Sequence, residues 1–238
     1  MVSLLLGLLQ YFFLPDMRIF QYLGWDDHLF RLTLPHFDPT YSAAMLSLFF
    51  LSLPAPRKFT STFLYTLGIL LSYARSIWLS LLATGLFFLK KKKLFFLLLL
   101  IFPLIFFVLP RQAGEGTNLL RTYSISSRLT HDLSLASQVD WNFFLGQGYN
   151  TISLFPTSSS EFPLHAHGFN NSFLEILATM GVIGLLGWIL FLTQLATHPR
   201  LRPLVIFLSV ASLFNNLLLY PFCLLLLLLL PFKAPSES

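Results

Sequence analysis

Arg75 lies in Ser72-Tyr-Ala-Arg-Ser-Ile-Trp78, between two strongly apolar runs. A guanidinium stays charged at physiological pH and presents a planar fork of donors that matches phosphate oxygens better than an ammonium does. An ionisable side chain at that position points to a binding or catalytic role. The alternative is an arginine that reaches out to lipid headgroups or pairs with an acid such as Asp38. Arg128, in Ser126-Ser-Arg-Leu129, and Arg31, in a shorter hydrophilic stretch, are further candidates for holding phosphate. Taken singly, an exposed loop arginine is usually only solvated. His165 and His167 lie two apart just before an apolar run. Such a pair is most often exposed and inert, yet either imidazole titrates near enough to neutrality to act as a general base. Asp26-Asp27-His28 offers carboxylate and imidazole donors. Adjacent residues rarely converge on one ion, and no second set has ligand spacing, so they read as solvated loop groups. No metal and no cofactor is expected. Leu145-Gly-Gln-Gly148 reads as a turn, since the Lys-Ser/Thr of a phosphate-binding P-loop is missing.

The elements that must position these groups follow from composition. The chain has 238 residues, 55% hydrophobic and only 11% charged, with 27 Phe. Soluble domains carry about a quarter of their residues as charges, and disordered chains are poor in hydrophobics; both classes are excluded. A single Cys, Cys223, rules out an intramolecular disulfide framework. The apolar runs fall into about eight segments, near residues 1–14, 41–53, 59–74, 76–89, 94–109, 172–196, 203–214 and 217–230. The expectation is an all-α polytopic membrane protein, with about eight transmembrane helices and one large extracytoplasmic loop that contains short helices. Residues 1–238 form a single membrane domain in this reading, with a first outer loop at 15–40, a large periplasmic loop at 110–171 and C-terminal helices over 172–230. Several runs are shorter than the ~20 residues that cross a bilayer upright. Phe59–Leu89 reads as two helices hinged at Ser72–Ser76, because one continuous helix would hold Arg75 near the bilayer centre. The first segment lacks a basic region and a cleavage site, so it reads as a retained span, not a signal peptide.

Lys and Arg in short loops orient a membrane chain. Placing Arg57-Lys58, Lys90–Lys93, Arg200–Arg202 and Lys233 inside alternates consistently with the segments and puts every Lys on the cytoplasmic side. Six Arg and no Lys then lie outside, with most acids and five of six His, so the chemistry faces outward. The tetralysine run reads as a topology signal that also meets anionic lipid headgroups. No basic-aromatic surface accompanies it, so a nucleic-acid partner is not expected. Part of the large loop, Leu129–Phe144 with Trp141, has the periodicity of an interfacial helix.

Three of these segments, in order, resemble the O-antigen ligase and polymerase family of bacterial membrane glycan transferases. Ser72-Tyr-Ala-Arg-Ser-Ile-Trp78 is similar to its Ser-Arg-x-x-Trp helix junction. Ser127-Arg-Leu129 with Leu145-Gly-Gln-Gly148 resembles the opening and closing of its large periplasmic loop. The most specific stretch runs from His165-Ala-His-Gly-Phe-Asn-Asn-Ser172 through Gly181-Val-Ile-Gly184 and resembles the exit from that loop into the next helix. Phe37-Asp-Pro-Thr-Tyr41 is a weaker match. Family members have further spans ahead of the matched region, so the chain resembles the carboxy-terminal two-thirds of such a protein.

The resemblance implies a bacterial cytoplasmic (inner) membrane location and a glycan carried on undecaprenyl diphosphate. It implies transfer, metal-independent and with inversion, to a hydroxyl on lipid A, another glycan or a protein. Arg75 and Arg128 match the arginines that bind the diphosphate. One position departs: the family carries His immediately before the Asn that starts the helix after the loop, and here the pair is Asn170-Asn171. An amide cannot take a proton from a hydroxyl at neutral pH. Either His167 supplies the base through a fold-back at Gly168, or the chain binds lipid-linked glycan without turning it over, alone or for a partner. A transporter would call for inverted repeats with interrupted helices, and no internal symmetry is visible. Gly181 and Gly184 are also explained by close helix packing, and Glu175 by a favourable charge near a helix N-terminus.

Overall fold

The computed structural model describes residues 2–23, 28–53, 59–88, 115–120, 122–139, 143–149, 151 and 168–229. Among them are eight α-helices: α1 (Val2–Phe13), α2 (Pro39–Ser52), α3 (Phe59–Leu71), α4 (Arg75–Phe88), α5 (Tyr123–Gln138), α6 (Ser172–Thr197), α7 (Arg202–Ala211) and α8 (Pro221–Leu229). Short 3-10 turns occupy Arg18–Leu23 and Glu115–Thr117, and an isolated antiparallel bridge joins Asp16 to Leu29.

The chain is all-α, but the expectation of about eight transmembrane helices is incorrect. Among the described residues only α6, with 26 residues, is long and apolar enough to cross a membrane by length and composition. The other apolar helices run from 9 residues in α8 to 14 in α2 and α4. At 1.5 Å per residue these reach about 13–21 Å, short of the ~30 Å hydrocarbon core. Hydropathy registers how apolar a run is, whereas helix length is decided by where the backbone turns. Here Asp38-Pro39 starts α2, with Asp38 Oδ1 accepting from the amides of Thr40 and Tyr41 at 2.6 and 2.8 Å. Proline at the first helical position loses no helix bond. The expected segment 94–109 and the tetralysine run lie outside the described residues.

The break within Phe59–Leu89 is present, and its geometry is specific. α3 ends at Leu71, Tyr73 takes a positive φ of 55°, and α4 restarts at Arg75. A helix end leaves carbonyls without intrahelical partners, and three are met from outside. Trp78 Nε1 donates to Ile69 O at 2.9 Å, Leu32 N to Leu71 O at 2.9 Å, and Arg31 Nε to Ser72 O at 3.0 Å. The first loop is thus clipped to the hinge by two consecutive residues.

Two apolar clusters carry the scaffold. One joins α2, α4, α6, α7 and α8 through residues such as Leu48, Ile77, Ile176, Phe207 and Leu227. The other packs α1, α2 and α3 around Leu4, Leu32, Leu46 and Ile69, with Trp78 from α4. α4 packs chiefly on α7, and α2 on α3. α5 is tied down differently, by a small cluster of Leu135, Val139, Phe169 and Ala178 and by polar contacts. Its outer face leaves Ile125, Leu129 and Leu133 about 60% exposed, at four-residue spacing. The helix expected over Leu129–Phe144 is therefore displaced toward the N-terminus, and residues 143–145 form a turn.

α6 is interrupted at Gly181, whose backbone takes φ 65° and ψ −171°, a combination almost exclusive to glycine. The turn Phe143–Gly148 docks into the break. Val182 N donates to Phe143 O (2.9 Å), Ile183 N to Phe144 O (3.4 Å), Gln147 N to Ala178 O (3.0 Å) and Gly148 N to Thr179 O (2.8 Å). A Cβ on Gly181 would overlap the Phe144 carbonyl, and one on Gly146 would overlap the Thr179 backbone. Close helix–helix packing is thus not what Gly181 is for: it lets a loop backbone lie against a helix backbone.

Candidate functional site

Arg31, Arg75 and Arg128 come from three separate elements and line one cavity of about 940 Å³. Arg75 is the first residue of α4, set there by the hinge, and its Nη1 donates to Leu119 O at 2.8 Å. Arg31 is buried, with its backbone carbonyl accepting from Gln10 Nε2 at 3.1 Å. Its aliphatic stem passes Gly116, where a Cβ would approach Arg31 Cδ to 2.7 Å. Arg128 projects from α5, with Nη1 donating to Phe214 O at 2.9 Å and to Asn215 Oδ1 at 2.7 Å. Asn215 in turn donates from Nδ2 to Ser76 Oγ at 2.9 Å. One buried amide therefore links the residue after Arg75 to the guanidinium of Arg128.

Acids complete the wall. Asp38, besides capping α2, holds Oδ2 3.9 Å from Nε2 of the buried His28. Asp132, one turn beyond Arg128 on α5, accepts from both the backbone N and the Nδ2 of Asn170 at 2.9 Å and lies 3.5 Å from His131 Nδ1, all through Oδ1. Burial acts to raise the pKa of Asp132, but the nearby His131 imidazole and the two hydrogen bonds from Asn170 outweigh it and hold the carboxyl below its ordinary range. Arg18 also lines the cavity, chelating Asp16 at 2.9 and 2.6 Å, and this contact brings the Asp16 pKa down to about 2. Apolar side chains share the lining: Leu79, Ile125, Leu129, Leu213 and Phe214 border the cavity and are exposed. Guanidinium groups set beside exposed apolar side chains suit an anionic group attached to hydrocarbon.

The sequence-derived candidates divide cleanly. Arg31, Arg75, Arg128 and Asn170 line the cavity together with His28. Asn171 is the N-cap of α6, its Oδ1 accepting from Phe173 N at 2.9 Å and Leu174 N at 3.3 Å. That contact gives it a scaffold role. His165 and His167 lie outside the described residues, as do Asp26 and Asp27. Glu175 does not act through the helix dipole alone, since it is buried and accepts from Phe169 N at 2.7 Å. Sequence reasoning missed Asp132 and Asn215. Asp132 had one available signal: it stands four residues after Arg128, on the same helical face.

Comparison of the chain with known protein families, with curated proteins and with solved structures finds no match to any of them.

Proposed function

We propose that this protein takes a glycan from an undecaprenyl-diphosphate carrier and transfers it to an acceptor hydroxyl at the outer face of a bacterial cytoplasmic membrane. The observation that carries this reading is the convergence of Arg31, Arg75 and Arg128 on one cavity that exposed apolar side chains also line. The resemblance of residues 72–78, 127–129 and 165–184 to O-antigen ligases and polymerases supports it. A carrier lipid diphosphate places two phosphates at headgroup level with its prenyl chain in hydrocarbon. Guanidinium groups at that height offset the charge that builds on the departing diphosphate, which is how preorganised donors lower a barrier. Asn215 supports the same step by fixing where the Arg128 fork points. The acceptor is a hydroxyl of lipid A, a glycan or a protein.

The test is transfer from polyprenyl-diphosphate-linked oligosaccharide, extracted from host membranes, by protein reconstituted in vesicles. Arg75→Ala lowers turnover by about 100-fold or more, the scale of losing one transition-state donor, and Arg75→Lys recovers part of it. Undiminished turnover in Arg75→Ala removes the arginine from the chemistry. The second reading is binding without turnover, favoured by Asn170 standing where the resemblance places an imidazole. It predicts wild-type protein that retains undecaprenyl diphosphate and consumes no donor.

A further inference from the structure

We propose that Asp132 is the general base that activates the acceptor hydroxyl, a role that rests on the glycan-transfer reading above. Three observations meet at this residue. Its carboxylate lines the same cavity as the arginines. Asn170 grips it twice, and His131 approaches it, all on Oδ1. Among the described residues no hydrogen bond falls on Oδ2, so one oxygen is anchored while the other remains available as an acceptor. The carboxyl is also held ionised, since its hydrogen bonds keep its pKa below the usual range.

Placement on α5 fits an in-line displacement. Arg128 and Asp132 are four residues apart, about 6 Å along one helical face. In inverting glycoside hydrolases the two carboxyl groups that act on opposite sides of the sugar ring stand ~6.5–9.5 Å apart, and the longer reach of arginine lets an Arg–Asp pair at this helical spacing span a comparable gap. Arg128 would hold the diphosphate on one side of the anomeric carbon, and Asp132 would face the acceptor on the other. As the acceptor oxygen bonds to that carbon, its proton passes to Asp132 Oδ2. The bond from carbon to phosphate oxygen breaks, and its electron pair leaves on the diphosphate. The protonated carboxyl then returns its proton to water. A carboxylate of low basicity takes the proton late, when the attacking oxygen has already become acidic, as Asp and Glu bases do elsewhere. Asn170 becomes a positioning residue in this scheme, and its lack of basicity is no obstacle.

The experiment compares wild-type protein with Asp132→Asn and Asp132→Glu in vesicles, by turnover of host-derived polyprenyl-diphosphate oligosaccharide and by binding of undecaprenyl diphosphate. Asn is isosteric and keeps an oxygen for Asn170, so binding should stay within about twofold while turnover falls by the ~100- to 10,000-fold typical of losing a general base. Asp132→Glu should recover a measurable part. Turnover in Asp132→Asn within threefold of wild type overturns the base and leaves the transfer reading intact. Loss of binding together with turnover also overturns it, by making Asp132 a structural group. Wild-type protein that binds without turnover removes the reaction and hence its base. Wild-type protein that fails to bind undecaprenyl diphosphate defeats the underlying reading, and the base with it.

Discussion

Replacing Gly181 by alanine puts the docking of the Phe143–Gly148 turn under direct test. The residue has two options, and both cost stability. It can keep φ 65° and ψ −171°, a region where a side chain costs ~1–3 kcal/mol, with its Cβ overlapping the Phe144 carbonyl. Otherwise α6 straightens and forfeits the four backbone bonds to the turn. At ~0.5–1.5 kcal/mol net for each bond that is ~2–6 kcal/mol, offset by the ~1 kcal/mol that alanine gains over glycine in a helix. The cheaper route still weakens docking by ~2 kcal/mol, which is about 30-fold in the local opening equilibrium. Hydrogen exchange over residues 143–149 and 178–183 reads this directly. Protection of the amides of Gln147, Gly148 and Val182 should drop by that factor. Gly187→Ala serves as the control, because a Cβ there meets nothing within 4 Å, and it should leave the turn unchanged. Equal protection in Gly181→Ala and wild type would refute the claim that this glycine exists for the loop.

Two further outcomes follow from contacts near the cavity. Asn215→Ala removes the acceptor on Arg128 and the donor to Ser76; losing a hydrogen bond to a charged group costs ~1.5–3 kcal/mol, so affinity for undecaprenyl diphosphate in a vesicle-binding assay should fall by about tenfold or more, and unchanged affinity would show that Arg128 is held by other means. His36 is kept neutral chiefly by burial, against the opposing charge of Asp38, so its pKa lies below the ordinary value. The unfolded chain takes a proton near pH 6.5 where the folded chain resists it. Its contribution is therefore present above that pH and lost as pH falls toward the folded value. Thermal melting between pH 7.5 and 5 should show the decline, and His36→Gln should flatten it.

One residue of the candidate site was legible because an arginine between apolar runs is costly and therefore rare. Arg75 could be marked from its neighbours alone, and the helix break was legible because a continuous helix would have carried that charge inward. Span number was not legible. Hydropathy over 41–53 or 203–214 is the same for a complete span and for a 10- to 14-residue helix that ends on tertiary partners. Gly181 has an unusual backbone only because a turn more than thirty residues earlier lies against it, and no periodicity within α6 encodes that. Asn215 sits 87 residues from Arg128, and an amide between apolar runs gives no sign of its partner. Asp132 was hidden in an amphipathic stretch whose polar face looked solvated.

The indole bond from Trp78 to Ile69 has a consequence for how the two sides of the cavity behave. It seals the bend between α3 and α4, and α4 is braced by α7. Arg75 therefore sits on a fixed anvil whose height is set by the covalent chain. Arg128 and Asp132 ride on α5, which is moored mainly by side-chain ties. On the proposed reading, any adjustment of aperture between sugars of different bulk falls to that lighter jaw, while Arg75 keeps one hold on the diphosphate at an unchanging height.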